Sequence, residues 1–398
     1  MMKKSMDTMT KMEKTKVVII GPSDRFLSGI SYYTTHLSNA LTKNYHVNAQ
    51  LFRHMLPTFL FPGAGRVGSS LSTLSYDADV SVHEMIDWYN PITWYKAYRG
   101  AAQSDICIFE WWTSSVSHMY LCIAVLLRLR RIPFIMEFHE VVDPLEDAIL
   151  PIRLYSRVMG RMIRSLATRY VVHSDHDQAL IAEKYKIDAS QIEVVPIGLF
   201  DHYPHLDRVT CRQKLGISAK YSKIILFFGL IRPYKGVSQL VEAFEDLTLE
   251  EKEHTLLLIA GEPWEDADAI QKIEESKDRE HIKLIAMYIR DEEVPDYFSA
   301  ADVLVLPYTR ASQSAVAHIG IAYGMPIIAT QVGGLIESLS KYEGTHFIPP
   351  QDREELTKAL SKIVRKNEEM RYEIPTSLRW DSIALHWKNI IKDVLENV

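Results

Sequence analysis

Two cations three residues apart, in a loop flanked by glycines, are the first feature of this sequence that could do chemistry. The loop is Gly229-Leu-Ile-Arg-Pro-Tyr-Lys-Gly236. It follows Lys223-Ile-Ile-Leu-Phe-Phe228, which reads as a buried strand, and precedes an apolar helical pattern over 237–247. Such a strand-to-helix junction lies at the carboxyl edge of an open α/β sheet, where these sheets bind ligands. Arg232 and Lys235 could there neutralise a diphosphate, and Gly229 lets a ligand come close to the backbone. A solvated loop with two surface cations is the competing reading, and the glycine on each side weighs against it.

Three other segments are chemically suggestive. Lys16-Val-Val-Ile-Ile20 runs into Gly21-Pro-Ser-Asp-Arg-Phe-Leu-Ser-Gly29 and then a helix over 30–41. This is not G-x-G-x-x-G, so a nicotinamide dinucleotide fingerprint is absent. Ser28 and Gly29 instead open a helix, whose free N–H groups favour an anion. His139 ends the strand Phe134-Ile-Met-Glu-Phe-His-Glu140, with Glu140 and Asp143 near enough in sequence to orient its ring or meet an acceptor. The loop Arg310-Ala-Ser-Gln-Ser-Ala-Val316 opens another helix; the N–H groups around Ala315 and the side chains of Ser312, Gln313 and Ser314 could hold sugar hydroxyls or phosphate.

The elements that must position these residues alternate between apolar strands and helix-length segments. Strands are read at 16–20, 47–52, 106–109, 134–138, 170–173 and 193–196, then again at 223–228, 256–260, 283–285, 303–306, 327–330 and 346–348. Helices are read at 117–130, 152–167 and 177–184 in the first half. Apolar strands alternating with helices imply parallel sheets covered on both faces. The expected domains are a disordered leader over 1–15, a Rossmann-like unit over 16–200, a polar linker over 201–222, a second Rossmann-like unit over 223–377 and a closing helix over 378–398. The segment 56–89, with its Phe61-Pro-Gly-Ala-Gly65 turn, reads as a long loop.

Composition narrows the classes. At 398 residues the chain outgrows a single hydrophobic core, so two domains are expected. A net charge of −6 argues against a general nucleic-acid binder, which needs a basic face. The leader lacks the apolar stretch of a signal peptide, and no apolar run approaches the roughly 20 residues that span a bilayer. Cys107, Cys122 and Cys211 are scattered without disulfide spacing, which suits a reducing cytoplasm.

In combination and order, the motifs resemble the retaining glycosyltransferases of family 4, with the GT-B fold. The residues carrying the resemblance are Gly229 to Gly236, Ala260-Gly-Glu262, Ser299-Ala-Ala-Asp-Val-Leu-Val-Leu-Pro307 and Gly324-Met-Pro-Ile-Ile-Ala-Thr-Gln-Val-Gly-Gly-Leu-Ile-Glu337. Ser28-Gly29, Val171-Val-His-Ser174 and Val194-Val-Pro-Ile-Gly198 fall at the usual places in the first half. The resemblance implies two Rossmann-like domains facing a cleft, with a UDP- or GDP-linked sugar as co-substrate. It makes Arg232 and Lys235 the clamp on the leaving diphosphate and places His139 at the donor sugar. No metal or other cofactor is then expected. Asp77-Ala-Asp79 and Asp266-Ala-Asp268 match the metal triplet of the other main glycosyltransferase fold, but neither follows a strand.

One departure stands out. The family's Glu-x7-Glu pair would fall at positions 311 and 319, which are Ala311 and Ile319. A non-catalytic partner subunit of the same fold, or a sugar-nucleotide epimerase, is therefore carried as the alternative. Finally, Arg153, Arg157, Arg161 and Arg164 form one stripe of a helix, with Ile152, Tyr155, Met159, Met162, Ile163 and Leu166 expected largely opposite. A basic amphipathic helix suits an anionic bilayer surface. With family 4's frequent lipid-linked acceptors, this gives an expected place in the cytoplasm at the inner face of the membrane.

Overall fold

The structure is a computed structural model that describes residues 14–26, 29–55, 73–113, 116–140, 150–311, 313–366 and 368–397. Ser28, Ser312, Asp143, the leader up to 13 and the segment 56–72 lie outside the described residues.

Two parallel sheets make up the chain. The first contains β1 (Lys16–Pro22), β2 (His46–His54), β3 (Val80–Asp87), β4 (Ile106–Trp111), β5 (Phe134–Phe138), β6 (Arg169–Val172) and β7 (Ile192–Val194), in the order β3-β2-β1-β4-β5-β6-β7. The second contains β8 (Lys223–Phe228), β9 (Thr255–Ala260), β10 (Ile282–Ile285), β11 (Val303–Leu306), β12 (Ile327–Thr330) and β13 (Thr345–Ile348), in the order β10-β9-β8-β11-β12-β13. Strands that are apolar on both faces demand cover on both, and they receive it. In β1, Val18 and Ile20 face one core while Val17 and Ile19 face another. Helices cover each side, and this is the doubly wound arrangement the alternation implies.

The structure differs from the expected organisation in three places. Part of the supposed loop over 56–89 is the edge strand β3, whose Val80-Ser-Val-His-Glu-Met-Ile-Asp is buried mainly at its ends. An edge strand has only one sheet neighbour and needs little apolar content, so its signal was weak. A helix at Pro91–Ala101 follows, capped by the Asn90 side chain. The supposed linker over 201–222 is folded onto the second domain. It carries the helix Arg208–Lys214 and buries Tyr203, Cys211 and Tyr221.

The closing helix, Trp380–Glu396, belongs physically to the first domain. Ile383, Ala384, Trp387, Ile390, Ile391 and Val394 recur at helical spacing and pack against Val17, Ile19, Tyr33 and Leu37. The chain therefore crosses between domains twice, and the crossings are tied together. Leu199 N–H donates to Leu378 O at 3.1 Å, and Trp380 Nε1 donates to Leu199 O at 2.7 Å. Gly198 lies flat against the Trp380 ring, where a Cβ would come within 2.5 Å.

Trp387 is fully buried in this docking surface. Trp387→Ala should cost about 3–5 kcal/mol of stability, as deletion of a large core side chain does. Urea unfolding followed by far-UV circular dichroism checks this. A loss below about 1 kcal/mol would show that the helix contributes little to the first domain.

Candidate functional site

The carboxyl ends of both sheets face each other, and the candidate residues sit there. From the first domain comes the N-terminus of the helix Gly29–Leu41, and from the second that of Ala315–Ala322. They are closely apposed: a Cβ on Gly29 would lie 3.1 Å from that of Ala315. A cavity of about 250 Å³ opens between the domains, lined by Gly29, Tyr32, Gly229, Glu262, Tyr288 and Ala315 among others. Gly29, Gly229 and Ala315, three residues singled out from the sequence, thus line one cavity.

The cationic loop is built by backbone constraints. Gly236 has φ of +70°, and a Cβ there would lie 2.0 Å from Pro307 O, so only glycine fits. The loop is zipped to the end of β9: Ile231 N–H donates to Glu262 O at 2.9 Å and Trp264 N–H to Ile231 O at 2.7 Å. The Arg232 guanidinium lies 5.3 Å from the Trp264 ring centre. Lys235 Nζ donates to Tyr308 Oη at 2.9 Å. Among the described residues neither cation is paired with a carboxylate, so both charges are available to an anion. Both are half-buried rather than exposed, and they flank the cavity without lining it.

In the loop before Ala315, two of the expected contact residues also have partners within the protein. Ser314 is buried and its hydroxyl accepts the Ala317 N–H, capping the helix. Gln313 Oε1 accepts the Ser338 hydroxyl at 2.6 Å. These bonds shape the loop. Ile319, at the position of the second expected Glu, is buried against the cavity. The carboxylates that the cavity does carry are Glu262 and Asp291. Asp291 accepts the Tyr32 hydroxyl at 2.8 Å, the Tyr203 hydroxyl at 2.5 Å and the Thr73 hydroxyl at 2.8 Å, bridging the two domains. Burial, then the Asp291 charge, raises the Tyr32 hydroxyl far above the ordinary phenol range.

His139 sits at the end of β5, its N–H donating to Trp111 O at 2.8 Å. The ring partner is His173, with His173 Nε2 and His139 Nδ1 3.1 Å apart. Sequence reasoning missed this pairing, and it missed Glu110 and Glu137. These are register partners on β4 and β5, on the face covered by the helix Gly29–Leu41. Both are fully buried. Thr34 Oγ1 donates to Glu110 at 2.6 Å and Tyr33 Oη to Glu137 at 2.6 Å. The available signal was a carboxylate interrupting each of two otherwise apolar strands. Burial pushes the Glu137 carboxyl up to about 8, against the Tyr33 hydrogen bond that lowers it. Burial, then the Glu137 charge, raises Glu110 well above its ordinary range.

Ligand atoms of Glu137, His139 and His173 lie within 4.8 Å of one another, the one such cluster among the described residues. Both His173 nitrogens are engaged, since Nδ1 lies 3.0 Å from Val195 O. One imidazole lone pair and one carboxylate are too few for a closed four-ligand site.

A second surface lies on the first domain. A cavity of about 960 Å³ is lined by Arg153, Arg157, Arg161, Arg164, Lys184 and Lys186 among others, between the helices Leu150–Arg164 and Asp175–Tyr185. The Arg164 guanidinium stacks 3.7 Å from the Tyr185 ring centre. Ile163 is buried as expected, but Met162 is 46% exposed and lines up with exposed Leu154 and Val158 beside the arginines. Position 162 falls on the outer face because the packed face is the narrow Ser156–Gly160–Ile163 strip.

Two helix N-termini and a cationic loop around an interdomain cavity, on facing parallel sheets, define a protein of the GT-B class. Likeness to solved structures agrees. Sucrose-phosphate synthase from Thermosynechococcus elongatus superposes with a TM-score of 0.66 over 97% of this chain and 100% of that one, at 17% identity. Anabaena HepE in complex with UDP and glucose gives 0.63 over 96% and 100%, at 14% identity. More particularly, residues 209–376 match the family described as glycosyl transferases group 1, and this second domain is a domain of that family. The D-inositol 3-phosphate glycosyltransferase of Kineococcus radiotolerans is 29% identical over 189 residues, 45% of this chain and 43% of that protein. The lipopolysaccharide glucosyltransferase WaaG of Escherichia coli is 22% identical over 228 residues, 56% and 58% of the two chains. The chain thus spans about half the length of these curated relatives.

The buried carboxylates generate a test. A folded-state pKa raised above the unfolded one stabilises fully below the unfolded pKa, near 4.5, and that contribution is lost as pH rises through about 8. Glu137→Gln keeps an acceptor for Tyr33 but cannot ionise. Its melting temperature should gain on that of the wild type steadily between pH 5 and pH 8.5. An offset independent of pH would show that Glu137 is already ionised in the folded protein.

Proposed function

We propose that this protein transfers a hexose-type sugar from a UDP- or GDP-linked donor to an acceptor hydroxyl, with retention at the anomeric carbon and without a metal. The apposition of Gly29 and Ala315 carries this reading: two helix dipoles meet at one gap, and the loop that bears Arg232 and Lys235 starts from the cavity wall at Gly229 and Leu230. Those charges stabilise a departing diphosphate, and the departing oxygen can take the acceptor's proton on the same face. Positioning and electrostatics then do the catalytic work. Closure of the domains excludes water, which limits hydrolysis.

Melting-temperature shifts with UDP-, GDP- and ADP-sugars test donor binding, since a ligand that binds the folded state raises stability. Arg232→Ala and Lys235→Ala should each lower kcat/KM by about 10²-fold or more with folding intact. Activity should persist in excess EDTA. Near-normal turnover in both variants, or loss on chelation rescued by Mg²⁺, would overturn the clamp assignment. One observation favours a second reading. Ala311 and Ile319 stand where the family's carboxylates would be, as in a non-catalytic partner subunit. Absence of nucleoside diphosphate release from any bound donor would select that reading.

The cationic cavity and the exposed Leu154, Val158 and Met162 support contact between the helix Leu150–Arg164 and an anionic bilayer, at the cytoplasmic face, with a lipid-linked acceptor. Each basic residue near such a surface is worth roughly 1 kcal/mol. Arg157→Glu combined with Arg161→Glu should abolish sedimentation with anionic vesicles at low salt and leave donor binding unchanged. If the wild type ignores such vesicles, the acceptor is a soluble sugar.

A further inference from the structure

The tautomer of His139 can be read from its surroundings. Val195 O only accepts hydrogen bonds, so His173 Nδ1, 3.0 Å away, carries a proton. A neutral imidazole carries one N–H, so His173 Nε2 is bare and accepts. The atom 3.1 Å from it is His139 Nδ1, which must be the donor. His139 Nε2 is then the bare nitrogen. It is buried without a protein hydrogen-bond partner, and the nearest carboxylate oxygen, Glu137 Oε2, is 3.9 Å away, beyond hydrogen-bond reach.

Burial keeps both rings neutral, with His173 lowered to about 4 and His139 well below the ordinary imidazole range. The titratable groups around the pair are Glu137 on the strand that His139 ends, Glu110 on the adjacent β4, Tyr33 on the covering helix and His318 from the second domain. Burial lowers His318 as well, to about 4.

We propose that His173 is a positioning residue: it fixes His139 as the Nδ1–H tautomer, so that Nε2 accepts a hydrogen bond from a hydroxyl of the transferred sugar. This rests on reading the cleft as a sugar-transfer site. The chain Val195 O, His173, His139 sets the direction of every proton in the line, as a partner on one ring nitrogen does for the other. A ring released from His173 is free to place its proton on Nε2, and it would then meet the hydroxyl as a donor.

The experiment uses the full chain with ¹⁵N-labelled histidine, whose two-bond correlations separate the tautomers, the His139 signals being assigned from their loss in His139→Asn. Wild type should show His139 protonated at Nδ1. His173→Gln places an amide oxygen where Nε2 was and should keep that tautomer. His173→Asn can still donate to Val195 but does not reach His139, and His173→Leu does neither; both should lose the tautomer. Sugar transfer should fall about 10-fold in kcat/KM for Asn and Leu and recover to within about threefold of wild type for Gln. Two variants of different polarity guard against one of them failing to fold. An Nε2–H tautomer in the wild type overturns the proposal, and so does a variant that switches tautomer yet transfers at the wild-type rate. Failure of the wild type to transfer any sugar would instead sink the reading of the cleft, with the tautomer result still standing.

Discussion

The double crossing between domains is the constraint on which the site depends. A cleft between two sheets has no geometry of its own unless the sheets hold a fixed relation. Here the chain leaves the first domain near Leu199 and returns near Trp380, with Trp380 Nε1 donating to Leu199 O. The returning helix buries Trp387 and five smaller side chains on the first domain. The two crossings are therefore anchored to one another at the base of the cleft. Asp291, accepting from Tyr32, Tyr203 and Thr73, and Glu337, accepting the Asp175 and His176 N–H groups, hold the two faces together on either side. These contacts hold the two walls of the interdomain cavity in register.

Beneath that cleft the first domain departs from the logic of an apolar core. Fully buried Glu110 and Glu137 replace the branched aliphatics that the rest of β4 and β5 present to the covering helix. A buried carboxyl is tolerated when hydrogen-bonded and neutral, and Thr34 and Tyr33 supply the bonds. The arrangement costs stability as pH rises, and it orders the ground on which His139 and His173 stand. The helix that covers these carboxyls is also the one whose first residue, Gly29, meets Ala315 across the gap. One helix thus joins the anion-facing end of the site to the histidine pair.

The second domain solves its problem with backbone rather than charge. Gly236 against Pro307 O leaves no room for a side chain. The loop carrying Arg232 and Lys235 is pinned to the end of β9 by main-chain hydrogen bonds and to Tyr308 by the lysine itself. Ile319, where the resemblance expects a carboxylate, makes its part of the cavity wall apolar together with Val316. The acidic groups nearest a ligand are then Glu262 and Asp291.

The sequence by itself determined the two units and, among the described residues, twelve of the thirteen strands to within about two residues at each end; it also marked the loops that bear Gly29, Gly229, Arg232, Lys235 and His139. Those follow from local physics: apolar runs must be buried on both faces, and glycine permits what other residues cannot. Tertiary structure decided the rest. β3 was hidden because an edge strand needs little apolar content. The segment 201–222 looked like a linker because its few anchors, Tyr203, Cys211 and Tyr221, are buried only against distant residues. The internal partners of Ser314 and Gln313, Ala317 N–H and the Ser338 hydroxyl, appear only once the helices are packed. The pairing of His173 with His139, 34 residues apart, and of Glu110 with Glu137 rests on which strands lie side by side. Strand adjacency is set by the packing of whole layers, and spacing along the chain carries no record of it.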